Sequence, residues 1–98
     1  IDDYRESPAI EIAKILKKKN YKVYFHDPYI KEIYGSEKNY FTRSKSIKIT
    51  PKNLRSFSSS VIVTDHDELN YDLIRKNSKL IFDSRNVYKK ELINVIPV

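Results

Sequence analysis

From Pro8 to Lys19 the apolar residues Ala9, Ile12, Ala13 and Leu16 recur at i, i+3, i+4 and i+7, with Ile10 and Ile15 widening the stripe. This spacing predicts an amphipathic helix. Ser7 suits the N-cap and Pro8 the first helical position, while Lys17, Lys18 and Lys19 sit where the helix dipole favours cations. Residues 22–26 (KVYFH) are rich in β-branched and aromatic residues and stop at Asp27-Pro28, which predicts a short strand. Residues 31–50 are polar and predict mostly loop, with one β-like patch at Ile47–Ile49. Pro51 opens a short helix towards Phe57, and Val61-Ile62-Val63 has the continuous apolar character of a strand covered on both faces. Asp67 or Asn70 then caps a helix over 71–77, and residues 79–83 (KLIFD) repeat the buried-strand pattern. The closing KELINVIPV is a weakly specified tail. Helices alternating with strands predict an α/β fold with a mostly parallel sheet and right-handed crossovers.

Composition narrows this picture. A chain of 98 residues predicts one domain and one modest core, since chains of this size bury roughly 60–70% of the unfolded surface. It is 40% hydrophobic and 33% charged, and no apolar run approaches the roughly 18 residues of a membrane span. There is no Cys, hence no disulfide framework, thiolate nucleophile or cysteine-ligated zinc, and no segment with the character of a signal peptide. A cytoplasmic setting is expected. The chain has no Met, even at position 1, so a piece of a longer protein is expected. Gly35 is the only glycine, which excludes a G-x-G-x-x-G loop and a P-loop within these residues.

In parallel sheets ligands sit at the carboxyl ends of the strands. Polar clusters follow each predicted strand: His26-Asp27-Pro28, Thr64-Asp65-His66-Asp67, and Asp83-Ser84-Arg85-Asn86. Three strand ends sharing one rim are expected. Arg85 is the best phosphate ligand there, because guanidinium presents a rigid fork of donors. Its other reading is an ion pair with an acid such as Asp83. No metal site is expected: His26 and His66 are the only histidines, and four adjacent residues in VIVTDHDE (61–68) cannot all face one ion. Asp67 is better read as a helix cap, with Thr64 and Asp65 finishing the strand.

The segments DDYRESPAIEIAKIL (2–16), VYFHDPYI (23–30), VIVTDHDEL (61–69) and LIFDSRNVY (80–88) resemble, in this order and at these spacings, the C-terminal UDP-binding domain of the nucleotide-sugar 6-dehydrogenases. This family includes UDP-glucose dehydrogenase and enzymes acting on UDP-N-acetylhexosamines, and HDPY, TDHDE, YDLI and DSRNVY look closer to the second branch. The resemblance implies a Rossmann-like three-layer domain over residues 1–98. It also implies a family strand before residue 2, so that either this strand lies outside this sequence or the sheet closes in another way, on a neighbouring molecule's strand or by pairing 22–26 with 61–64. The intact enzymes are homodimers that bind NAD in an N-terminal domain. They oxidise the sugar C6 hydroxyl to a carboxylate through a catalytic Cys in the central region, supplying UDP-uronates for surface polysaccharide. This fragment should therefore hold no catalytic residue and no NAD site of its own.

Carried over residue by residue, the Arg of the family's F-D-x-R motif falls on Arg85, implying contact with the UDP-sugar. The Arg5-Glu6-Ser7-Pro8 block looks mainly structural, with Arg5 a possible second contact. A family Lys ligand would fall before Ile1. Related enzymes carry an aromatic residue where His66 stands, so no essential proton transfer is expected there. Two alternatives are a non-catalytic Rossmann-like nucleotide-binding module and a basic RNA-binding domain. The second draws on a net charge of +6, a pI near 9.5, eight tyrosines and Lys14, Lys17, Lys18, Lys19 and Lys22. No RNP, KH or zinc-finger pattern accompanies that charge, and neither nucleic acid nor membrane is an expected partner.

Overall fold

A computed structural model describes residues 7–98. The chain forms two compact units, Ile1–Ile47 and Lys48–Val98. In place of the single core expected from length, the buried apolar residues form two clusters.

In the first unit, helix α1 spans Pro8–Lys18. The Ser7 hydroxyl accepts from the Ala9 amide at 3.1 Å, satisfying one of the donors that a helix start leaves open. At the other end Asn20 takes a left-handed φ of 69°, and the Tyr21 amide returns to the Leu16 carbonyl at 3.0 Å. The apolar stripe of α1 supplies Ile10 and Ala13, which join Ile33 and Phe41 in the first cluster. Phe25 meets Phe41 edge-on with ring centroids 5.2 Å apart.

The strand expected at 22–26 does not form. These residues belong to no ladder among the described residues, with 61–64 or with any other segment. Their carbonyls are taken by an irregular segment instead: Thr42 donates to Val23 at 2.8 Å and Ile47 to Phe25 at 2.9 Å. β-propensity describes a side chain's fit to a pleated surface, and a strand exists only where a partner continues the ladder. Residues 31–50 hold more order than expected, with a 3-10 turn over Gly35–Tyr40 and an antiparallel bridge between Glu32 and Lys45. Gly35 starts that turn at φ 72°, where a side chain would be strained.

In the second unit, helices α2 (Pro51–Ser56) and α3 (Tyr71–Asn77) alternate with strands β1 (Ser60–Ile62), β2 (Ile81–Asp83) and β3 (Val95–Pro97). The sheet is parallel throughout, in the order β1-β2-β3, which bears out the expected α/β, Rossmann-like class. Both helices start on side-chain caps, Thr50 accepting from Asn53 and Asn70 from Leu73, each at 3.1 Å. Asn70 is thus the cap of α3, and the assignment of that role to Asp67 is corrected. The turn closed by Leu69 N–H on the His66 carbonyl puts Asp67 well before the helix.

Side-chain alternation places Ser60 and Ile62, Ile81 and Asp83, and Val95 and Pro97 on one face of this sheet. On that side Leu54, Ile62, Ile74 and Ile81 form the second cluster, with Ile81 fully buried. Val61 and Ile96, on the opposite face, are 40% and 41% exposed, so the expectation of a β1 covered on both faces is not met. The tail read as weakly specified instead forms β3. The Asn94 side chain donates to the Arg75 and Ser78 carbonyls at 2.8 and 3.0 Å, and its own carbonyl accepts from Ile81 at 2.8 Å. Pro97 lacks an N–H and sits on the last strand of the sheet, the position where that loss matters least.

Candidate functional site

Because β1 and β2 run parallel, the segments that leave their carboxyl ends emerge on one edge. These are residues 63–70 and 84–88, two of the three polar clusters expected on a rim. The third cluster, His26-Asp27-Pro28, follows no strand and makes its contacts within the first unit instead. His26 Nδ1 lies 2.6 Å from the Ile47 carbonyl, and Asp27 Oδ1 accepts from the Tyr29 and Ile30 amides at 2.8 and 3.0 Å.

The last residue of β2 organises the edge. Asp83 faces the interior and is 1% exposed. A buried carboxylate is tolerated only when hydrogen-bonded. Here Oδ1 accepts from the amides of Arg85 (3.2 Å) and Val87 (3.1 Å), and Oδ2 from that of Tyr88 (3.0 Å). Asn86, at the apex of this loop, takes a left-handed φ of 54°, a conformation that Asn tolerates well. Ser84 donates through its amide and its hydroxyl to the Ile62 carbonyl, tying the end of β2 to the end of β1.

Two tyrosines join the loops. The Tyr88 hydroxyl donates to the Tyr71 carbonyl at 2.7 Å, the two rings pack edge-on with centroids 6.1 Å apart, and the Tyr71 hydroxyl accepts from the His66 amide at 2.8 Å. Burial, and after it the negative charge of Asp83, pushes the Tyr88 phenol up to about 12. Burial also raises Tyr71, against the lowering effect of the His66 amide and with a further rise from Asp65.

Arg85 is exposed on this edge, and among the described residues its guanidinium enters no ion pair. The reading in which it neutralises Asp83 therefore does not hold: the Asp83 oxygens are occupied by backbone amides. Beside the loop lies a recess of about 480 Å³, whose lining includes Asn86, Tyr88, Lys89, Lys90 and Glu91 together with Val95 and Pro97 of β3. Its size falls within the range of small-molecule sites. Arg85 stands one residue outside this lining. The sequence points to Asp83 only as part of the rim cluster and as an ion-pair partner for Arg85, and it does not point to Lys89 or Lys90. The lysine pair lies directly after LIFDSRNVY, and the aspartate inside it, but neither pattern reveals a recess or a ring of amides. Among the described residues no group of three or more His, Asp or Glu side chains is gathered to hold a metal. Arg5 lies outside the described residues.

An all-parallel sheet with polar loops and an exposed guanidinium on its carboxyl edge defines an α/β domain of the Rossmann-like class. The chain belongs to the UDP-glucose/GDP-mannose dehydrogenase family, UDP binding domain, whose family model matches residues 1–90. A UDP-N-acetyl-D-mannosamine dehydrogenase of Pyrococcus horikoshii is 29% identical over 100 residues, covering 97% of this chain and 21% of the relative. The chain thus spans about a fifth of that relative's length. No solved structure matches. Among the described residues no helix is long and apolar enough to cross a membrane.

Proposed function

We propose that this chain holds the UDP part of a nucleotide-sugar for an NAD-dependent 6-dehydrogenase, with Arg85 as the principal contact to the diphosphate. The observation that carries the reading is the Arg85 guanidinium, which enters no ion pair among the described residues and is held on the carboxyl edge by a loop that follows Asp83, an acid already satisfied by amides. With no partner among the described residues, the guanidinium keeps its fork of donors for a phosphate. Lys89 and Lys90, exposed at the neighbouring recess, outnumber the one acid in its lining, Glu91, and leave positive charge that attracts the same ligand.

In this reading the residues described here bind and orient, and the oxidation is performed elsewhere in the protein. The C6 hydroxyl of a UDP-N-acetylhexosamine is oxidised to a carboxylate with NAD bound outside this chain. The intact enzyme is a cytoplasmic homodimer serving surface-polysaccharide synthesis. The similarity to a UDP-N-acetyl-D-mannosamine dehydrogenase supports the substrate class. Arg5 is retained as a secondary contact on the strength of the family resemblance.

Calorimetric titration of the full chain with UDP, UMP and a short RNA tests the proposal. UDP is expected to bind, and Arg85→Ala to weaken it by about 10- to 100-fold, the worth of a charge-assisted contact of about 1.5–3 kcal/mol. RNA binding that ignores Arg85 but is lost when the lysines between positions 14 and 22 are reversed in charge would overturn it.

A further inference from the structure

We infer that Asp83 is a positioning residue for ligand binding, setting the direction of Arg85 through the backbone of residues 84–88. The inference rests on the proposed function. Three observations carry it. The carboxylate is almost wholly buried, yet it is not paired with any cation among the described residues. Its two oxygens take the amides of Arg85, Val87 and Tyr88, so one side chain fixes the backbone on both sides of the apex. The apex residue, Asn86, is held at φ 54°, a left-handed conformation uncommon outside glycine, between the amides that Asp83 grips.

The division of labour has an electrostatic consequence. An acid that aligned Arg85 by ion pairing would consume the charge that the ligand needs. Asp83 grips the amide of Arg85 instead, and the guanidinium stays available. A loop already in its binding conformation also spares the ordering cost that association otherwise carries. An apolar residue at position 83 would fill the interior as well as Asp83 does, but it would leave three amides without an acceptor and the Arg85 side chain without a fixed origin.

The test is a double-mutant cycle on the full chain, with UDP affinity measured for the unaltered protein, Asp83→Asn, Arg85→Ala and the pair. Asn has a single acceptor oxygen, so at least one of the three amides meets an N–H group instead. Asp83→Asn is expected to weaken UDP about tenfold when Arg85 is present, through lost preorganisation, and by less than about twofold when it is absent. Amide exchange at Arg85, Val87 and Tyr88 should quicken in the same variant. Should Asp83→Asn fail to fold, Asn86→Val disturbs the same loop from its exposed apex, since a β-branched residue resists φ near 54°. It should show the same dependence on Arg85.

Equal losses with and without Arg85 would reduce Asp83 to a structural role and overturn the inference. So would unchanged affinity. Either result, with Arg85→Ala still weakening UDP, leaves the proposed function standing. Absence of UDP binding by the unaltered chain overturns both.

Discussion

One amide side chain reinforces the attachment of β3, and replacing it in two ways gives losses of different size. Asn94 Nδ2 donates to the Arg75 and Ser78 carbonyls, which belong to the end of α3, where a helix leaves carbonyls without intrahelical donors. Two acceptors facing the same atom require a donor there, which assigns the amide orientation. The Asn94 Oδ1, by contrast, is buried without a hydrogen-bond partner among the described residues, as is the neighbouring Ser78 hydroxyl. Asn94→Ala removes two hydrogen bonds worth about 1 kcal/mol each, but also removes an unsatisfied acceptor that costs about as much as one of them. The expected net loss is about 1 kcal/mol. Asn94→Asp is nearly the same size but points an oxygen at two carbonyls and buries part of a charge, so its loss should reach about 3 kcal/mol. Urea unfolding at neutral pH, followed by circular dichroism and by the fluorescence of a chain with eight tyrosines and no tryptophan, measures both. Amide exchange at Ile81, which donates to the Asn94 carbonyl, localises the effect to the second unit. If Asn94→Asp proves no worse than Asn94→Ala within about 0.5 kcal/mol, the reasoning fails.

Two further stability predictions concern residues near the candidate site. Asn70→Ala should cost about 1 kcal/mol through loss of the α3 cap, whereas Asp67→Ala should stay within about 0.5 kcal/mol in the same unfolding assay. Tyr88 holds its proton more tightly folded than unfolded, so it contributes stability that is fully present below pH 10 and declines as pH rises towards about 12. With solvent screening of a partly exposed phenol, the decline should be of the order of 1 kcal/mol. Tyr88→Phe should flatten it in urea midpoints taken across that range, and a profile unchanged by the substitution would contradict the assignment.

The parts of the fold legible from sequence are those whose causes lie within a few residues. Each of the three helices carries its own start signal, Ser7-Pro8, Thr50-Pro51 and Asn70, because a cap acts on an amide two or three positions on. The choice between Asp67 and Asn70 was not legible, since both side chains offer a suitable oxygen and the intervening turn decided it. In the candidate site Arg85 could be selected by its chemistry alone. That Asp83 does not pair with it could not, because this depends on where the Asp83 carboxylate finds its donors. The amides that occupy that carboxylate are main-chain groups, which look the same at every position of a sequence.

The amino-acid sequence by itself determined the helices, the strands β1 and β2, the alternating order that implies a parallel sheet, and a polar edge with Arg85 on it. It also carried the family resemblance, in four segments spread along the chain. Tertiary structure decided which extended segments became strands. Residues 22–26 have the stronger β composition but join no ladder among the described residues, while 95–97, ending on a proline, pair with β2 where the Asn94 side chain is fastened to the end of α3. A helix satisfies its backbone from within, and its signals are therefore local. A strand borrows its hydrogen bonds from a neighbour, and only the folded chain determines which neighbour is there.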